Sequence, residues 1–140
     1  MNNAKKHNQS QPASPSPVER DLGRGGSLGF SHAFRGICKA FATERNMRIH
    51  ALIALLVVVC GFIFDISRTE WMLCVLCFGL VFGAELINSA VERVVDLASP
   101  DRHELAKNAK DMSAGAVLVC AVFSAVVGLI IFVPKVWELF

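Results

Sequence analysis

Glu85, Asn88, Glu92 and Asp96 stand three, four and four residues apart in the run from Glu85 to Asp96. On a helix turning about 100° per residue they fall within about 80° of arc and form a stripe about 16 Å long. Val91, Val94 and Val95 lie off that stripe. The run continues an apolar stretch, Trp71 to Ala84, in which Gly83 is the one turn-prone residue near the junction. Ionisable groups at membrane depth are costly to desolvate, usually face a bundle interior or a wet cavity, and usually serve a function. A helix end that has simply left the membrane suits Asp96 but not Glu85. A carboxylate at that depth is suited to taking a proton from a hydroxyl. Glu44, together with Glu104, Lys107, Lys110 and Asp111, adds charges at other points of the chain; Glu104, Lys107 and Asp111 share a helical face with Lys110 beside it. Separate carboxylates suit a hard cation such as Mg²⁺, which takes one or two of them plus substrate phosphates, and a lysine beside them neutralises phosphate charge. Base, cation and phosphate at a membrane surface point to phosphoryl transfer onto a lipid alcohol. His50 and His103 are possible further metal ligands, although histidines at helix ends are more often hydrogen-bonded or solvated.

Three long apolar helices must position these groups. The chain has 140 residues, 54% of them hydrophobic, which fits one membrane-embedded all-α domain better than a soluble one. Residues 1–26, rich in Asn, Gln, Ser, Pro and Gly, read as a disordered cytoplasmic tail, and 27–140 as the membrane-integral domain. The glycines between Gly23 and Gly29 lack the Lys-Ser/Thr ending of a phosphate loop and read as a hinge. Phe30, Phe34, Ile37 and Phe41 share a face opposite Arg35 and Lys39, predicting an amphipathic interfacial helix over 30–43. The spans are expected at about 46–64, 71–97 and 112–133, with a polar loop from Asp65 to Glu70, a separate short helix from Glu104 to about Lys110, and a stop near Pro134. The five cysteines lie mostly in apolar runs and read as small hydrophobes, including the Cys74/Cys77 pair. The first residues are polar, so no cleavable signal is expected.

Cation placement sets the orientation. Eight cations from Lys5 to Arg48 precede the first span, and Arg93, Arg102, Lys107 and Lys110 lie between the second and third; Arg68 and Lys135 remain for the opposite side. The N-terminus and the carboxylate-rich end are therefore expected in the cytoplasm, with Trp71 and Trp137 at the outer interface. The net charge of +2 is too small to argue for nucleic acid. A small proton-coupled transporter would also place Glu85 at depth, but would not need Glu92, Asp96, Lys110 and Asp111 facing the cytoplasm. A non-enzymatic membrane adaptor would tolerate loss of Glu85.

The run Glu85 to Asp96, with Glu44 before it and Ala109 to Met112 after it, resembles the signature of the prokaryotic diacylglycerol kinase family. The resemblance extends without an evident gap from about Gly36 through the third span, leaving the tail before Leu28 outside. It implies a small lipid kinase of the bacterial inner membrane, a homotrimer whose active sites are shared between subunits. It implies Glu85 as general base, and Glu44 and Glu92 as holders of the Mg²⁺ that bridges the ATP phosphates. It further implies ATP contacts from Lys110, Asp111 and the loop Asp101, Arg102 and His103, with Asn88 and Asp96 in support. His32 departs from the pattern, standing where proteobacterial members have a tyrosine. Glu44, Asn46, Ile49 and His50, followed by Glu70 and Trp71, resemble the branch common in Gram-positive bacteria. That branch phosphorylates undecaprenol in preference to diacylglycerol, which implies undecaprenol as substrate and diacylglycerol as the alternative.

Overall fold

The computed structural model describes residues 27–99 and 103–138. The expected tail over 1–26, together with Asp101 and Arg102, lies outside these. Four helices follow in order: α1, Ser27–Thr43; α2, Arg45–Ile63; α3, Arg68–Ala98; and α4, Glu104–Trp137. The described residues fall into two units, one ending at Arg35 and the other beginning at Gly36. In the first unit, the Arg35 guanidinium lies 2.9 Å from His32 Nδ1 and its Nε donates to the Ser31 carbonyl at 3.4 Å.

Within the second unit, α2, α3 and α4 are each long and apolar enough to cross a membrane. At 1.5 Å per residue, α3 with its 31 residues is about 46 Å long, whereas a bilayer's hydrocarbon is about 30 Å thick. The helices carry a continuous belt of exposed Leu, Ile, Val and Phe, among them Leu55, Leu76, Phe123 and Ile130, each at least 60% exposed. Such a belt is at home in lipid or against another apolar surface.

Local chemistry explains three element boundaries that differ from the sequence reading; α1 also begins three residues earlier than expected, at Ser27. Helix α3 starts at Arg68, within the expected polar loop, because Ser67 and Glu70 form a reciprocal capping box: Glu70 N donates to Ser67 Oγ at 3.3 Å, and Ser67 N donates to Glu70 Oε2 at 2.6 Å. The turn before it is closed by Asp65 at φ 45°, a left-handed conformation that aspartate tolerates better than most residues. The short helix expected at Glu104 and the third span are one helix, since nothing between Lys107 and Ser113 breaks the backbone ladder. Nor does Pro134 stop it. Proline removes one donor, but the ladder resumes with Glu138 N donating to the Pro134 carbonyl at 3.1 Å.

Helices α3 and α4 form an antiparallel pair that packs along its length, with α2 against α3. Ile66, Cys74 and Ile131 centre one core, enclosed by Val57, Trp71 and Phe132 among others. At that end Lys135 Nζ stands 3.5 Å from Glu70 Oε1, and Trp71 packs on Phe62 with ring centroids 5.1 Å apart. Trp71 also covers Gly61, where an added Cβ would come within 2.7 Å of the indole. All five cysteines are free thiols; Cys74 is buried in the core, whereas Cys38 is exposed.

Candidate active site

The face of α3 that buries Cys74 and Val81 is the face that carries Glu85 and Asn88, because spacings of seven, four and three residues return to within about 60° of one direction. Continuing the helix along that line brings the stripe steadily out of the protein. Glu85 is 2% exposed and Asn88 7%; Glu92 is half-buried, and the Asp96 side chain is 67% exposed. The polar stripe inferred from spacing is thus one continuous ramp from the bundle interior to the surface.

Other elements bring partners to each step. At the deep end, His50 on α2 places Nε2 3.2 Å from Glu85 Oε1, yet the two groups are not aligned for a hydrogen bond and Glu85 Oε1 is left without one. One turn along, Asn88 Nδ2 donates to Glu92 Oε1 at 2.9 Å, and Ser113 on α4 donates to Asn88 Oδ1 at 2.6 Å. A carboxylate only accepts, so Glu92 fixes which way the Asn88 amide points. Ser113 must then donate to the amide oxygen. At the exposed end, Lys110 Nζ lies 2.5 Å from Asp96 Oδ1, tying α4 to α3.

Glu44 sits between α1 and α2 with extended backbone, φ −91° and ψ 121°. Its Oε1 accepts from Arg93 at 2.8 Å and from Thr43 Oγ1 at 3.0 Å, while Arg93 also donates to Thr43 Oγ1 at 3.0 Å. Phe41 packs on Phe82, ring centroids 6.0 Å apart, and Ala40 and Met47 are almost fully buried, so the junction holding Glu44 is anchored by apolar contact on both sides. His103 caps α4, its Nδ1 accepting from Leu105 N at 3.2 Å. Asp111 is exposed at the same end of α4.

Among the described residues, no group of three or more His, Cys, Asp or Glu side chains is placed to hold a metal ion. Mg²⁺ asks for less, because water and phosphate supply most of its ligands. Among the described residues, the hydrogen bonds to Glu44 and Glu92 fall on Oε1, leaving Oε2 of each without a described donor. The two carboxylates are the hard oxygen donors that a divalent ion bound together with phosphates takes.

Beside the deep end lies an apolar cavity of about 520 Å³ between α2, α3 and α4. It extends from His50 past Val57, Cys74 and Phe78 to Phe132, and no carboxylate lines it. A buried carboxylate next to an apolar cavity, with charged groups towards one surface, suits an acceptor that is mostly hydrocarbon and a donor that is mostly charge.

The family model for prokaryotic diacylglycerol kinase matches residues 31–132, most of the chain. The chain belongs to that family. It is 50% identical over 106 residues to the undecaprenol kinase of Bacillus subtilis, covering 76% of this chain and 86% of that one. It is 38% identical over 113 residues to a diacylglycerol kinase of Synechocystis, covering 80% of this chain and 65% of that protein. It is 32% identical over 95 residues to the diacylglycerol kinase of Escherichia coli, covering 68% and 78% respectively. This member of the family is thus a lipid kinase with three helices long and apolar enough to cross a membrane. Four of its site neighbours, Thr43, Arg93, Ser113 and the His50 contact to Glu85, were not evident from spacing. Arg93 pairs across 49 residues and Ser113 across 25, distances at which no helical periodicity speaks.

Proposed function

We propose that the protein transfers the γ-phosphoryl group of ATP to a membrane lipid alcohol, undecaprenol in preference to diacylglycerol. The observation that carries this is Glu85: a carboxylate 2% exposed, at the inner end of a polar ramp and beside an apolar cavity. In this reading the hydrocarbon of the alcohol lies in or along the bundle and its hydroxyl reaches Glu85. Glu85 accepts the hydroxyl proton as the alcohol oxygen bonds to the γ-phosphorus. The bond from that phosphorus to the β,γ-bridging oxygen breaks, and ADP leaves with the electron pair. Glu44 and Glu92 hold Mg²⁺, which when bound draws charge off the phosphate oxygens. Lys110 and Asp111 orient ATP, with Asp101, Arg102 and His103 contributing from the connecting loop. Asn88 keeps Glu92 in place, and Asp96 does the same for Lys110.

The remaining proposals follow the same logic. The ramp end faces the cytoplasm of a bacterial inner membrane, the side with ATP and the side to which the cation count assigns it. The 30–43 region lies in the interface with Arg35 and Lys39 towards anionic headgroups. Three copies assemble, covering part of the exposed apolar belt. Undecaprenol ranks first because the B. subtilis relative, at 50% identity, bears that name. Diacylglycerol remains the second reading because other relatives bear that one.

The test is transfer of labelled phosphate from ATP by purified protein offered both lipids together, with Glu85→Gln run alongside. The expected result is preferential labelling of undecaprenol. The variant should lose about 10²- to 10⁴-fold in rate, the usual contribution of a general base, with its oligomer intact. Preferential labelling of diacylglycerol would reverse the substrate order, and near-normal activity of the variant would remove Glu85 from the mechanism.

A further inference from the structure

A buried carboxylate needs a donor, and the ramp does not give Glu85 one. Glu85 Oε1 is fully buried and makes no hydrogen bond. Asn88, one turn on, is committed on both sides, to Glu92 and to Ser113. Among the described residues, one basic side chain lies within 4 Å of the Glu85 carboxylate: His50, with Nε2 at 3.2 Å. His50 comes from a different helix and is itself only 20% exposed. It also lines the apolar cavity, which Glu85 does not. The imidazole therefore stands between the carboxylate and the space from which a hydrocarbon-bearing alcohol would arrive. At 3.2 Å the ring nitrogen is within hydrogen-bond distance of Oε1.

We infer that His50 is the positioning residue for Glu85, its Nε2–H holding Oε1 so that Oε2 faces the lipid hydroxyl at the end of the cavity. The inference rests on Glu85 being the base. Its logic is that of buried charge in general. Without a donor the anion is strongly disfavoured at this depth, and a base that does not ionise cannot accept a proton. An imidazole suits the role because it donates through one nitrogen whether neutral or charged, provided the proton sits on Nε2.

The experiment compares His50→Gln, which keeps a donor of similar reach, with His50→Leu, which keeps bulk and removes it. His50→Asn, polar but too short, serves as a second loss variant should the leucine protein not assemble. Each is assayed in mixed micelles for kcat and for KM towards lipid and ATP, beside Glu85→Gln. The expected result is a fall in kcat of about 10- to 100-fold for the Leu and Asn variants, the loss of a charge-assisted hydrogen bond. KM for ATP should stay within about twofold of the parent, and the Gln variant should recover most of the loss. Three results would overturn the inference: kcat unchanged in the Leu and Asn variants, a change confined to lipid KM, or a Gln variant as impaired as Leu. The first of these alongside an inactive Glu85→Gln removes His50 only. An active Glu85→Gln removes the base assignment itself.

Discussion

Ser113 offers a sharp test of how the site is held, because its contribution follows from donor–acceptor counting. The Glu92 carboxylate requires the Asn88 amide nitrogen, so the amide oxygen must point at Ser113. Ser113 Oγ is also 2.9 Å from the Lys110 carbonyl, but its single proton cannot serve both acceptors. The Asn88 side needs it, since among the described residues that oxygen has no other donor if the amide is to keep serving Glu92. In Ser113→Ala the oxygen is left part-buried and unpaired, and the amide's preference for its working orientation weakens. A neutral hydrogen bond of this kind contributes about 0.5–1.5 kcal/mol. Passed through Asn88 to Glu92, that corresponds to about a 2- to 12-fold rise in the Mg²⁺ concentration for half-maximal activity. Saturating Mg²⁺ should restore most of the rate, because the perturbation reaches the proposed cation site and not the proposed base. Ser113→Thr, which keeps the hydroxyl, should lie near the parent. The assay is lipid phosphorylation at fixed ATP with Mg²⁺ titrated. An unchanged titration curve in Ser113→Ala would refute the chain from Ser113 through Asn88 to Glu92.

Glu44→Ala and Glu92→Ala should each raise the Mg²⁺ requirement by more than Ser113→Ala does, because they remove a ligand and not its support; unchanged titrations in both would put the cation elsewhere. Gly61→Ala should destabilise the protein by about 1–3 kcal/mol despite alanine's better helix propensity, because its Cβ would lie 2.7 Å from the Trp71 indole. Unfolding in detergent followed by tryptophan emission checks this, with Gly79→Ala, whose Cβ meets nothing within 4 Å, as a control expected to be neutral or slightly stabilising. A Gly61→Ala protein as stable as the control would mean that the indole can move aside at no cost.

What could be read from the sequence was what periodicity encodes. The stripe from Glu85 to Asp96 needs only the assumption of an unbroken helix, and α3 is unbroken from Arg68 to Ala98. The three spans were legible because apolar length is a local property, and the first of them, Arg45–Ile63, lies within a residue of the expected limits. Boundaries failed where a few side chains overrode composition. A Ser67–Glu70 box turned loop into helix, and an uninterrupted ladder carried α4 across a polar stretch and through Pro134. The contacts between helices were illegible for a different reason. Which residue of α4 meets Asn88, or which of α2 meets Glu85, depends on the register between helices, which no single helix's pattern contains.

The length of α3 bears on why the site has this form. The acceptor's hydroxyl belongs to a molecule dissolved in lipid, and the donor's phosphates cannot leave water. A site joining them must change polarity over a short distance without a gap in structure. A helix can do this if it outlasts the bilayer, and α3 exceeds the hydrocarbon thickness by about 16 Å. That excess equals the length of the stripe from Glu85 to Asp96. The groups are ordered along it by how much water each tolerates: Glu85 deepest, Asn88 and Glu92 next, the lysine-paired Asp96 at the rim. Moved outward by one turn, Glu85 would no longer stand beside His50 at the end of the apolar cavity, and moved inward it would lie farther from the charged end of the stripe. The ordering along one face is therefore set by the immiscibility of the two substrates, and α2 and α4 need only supply the partners that hold each step in place.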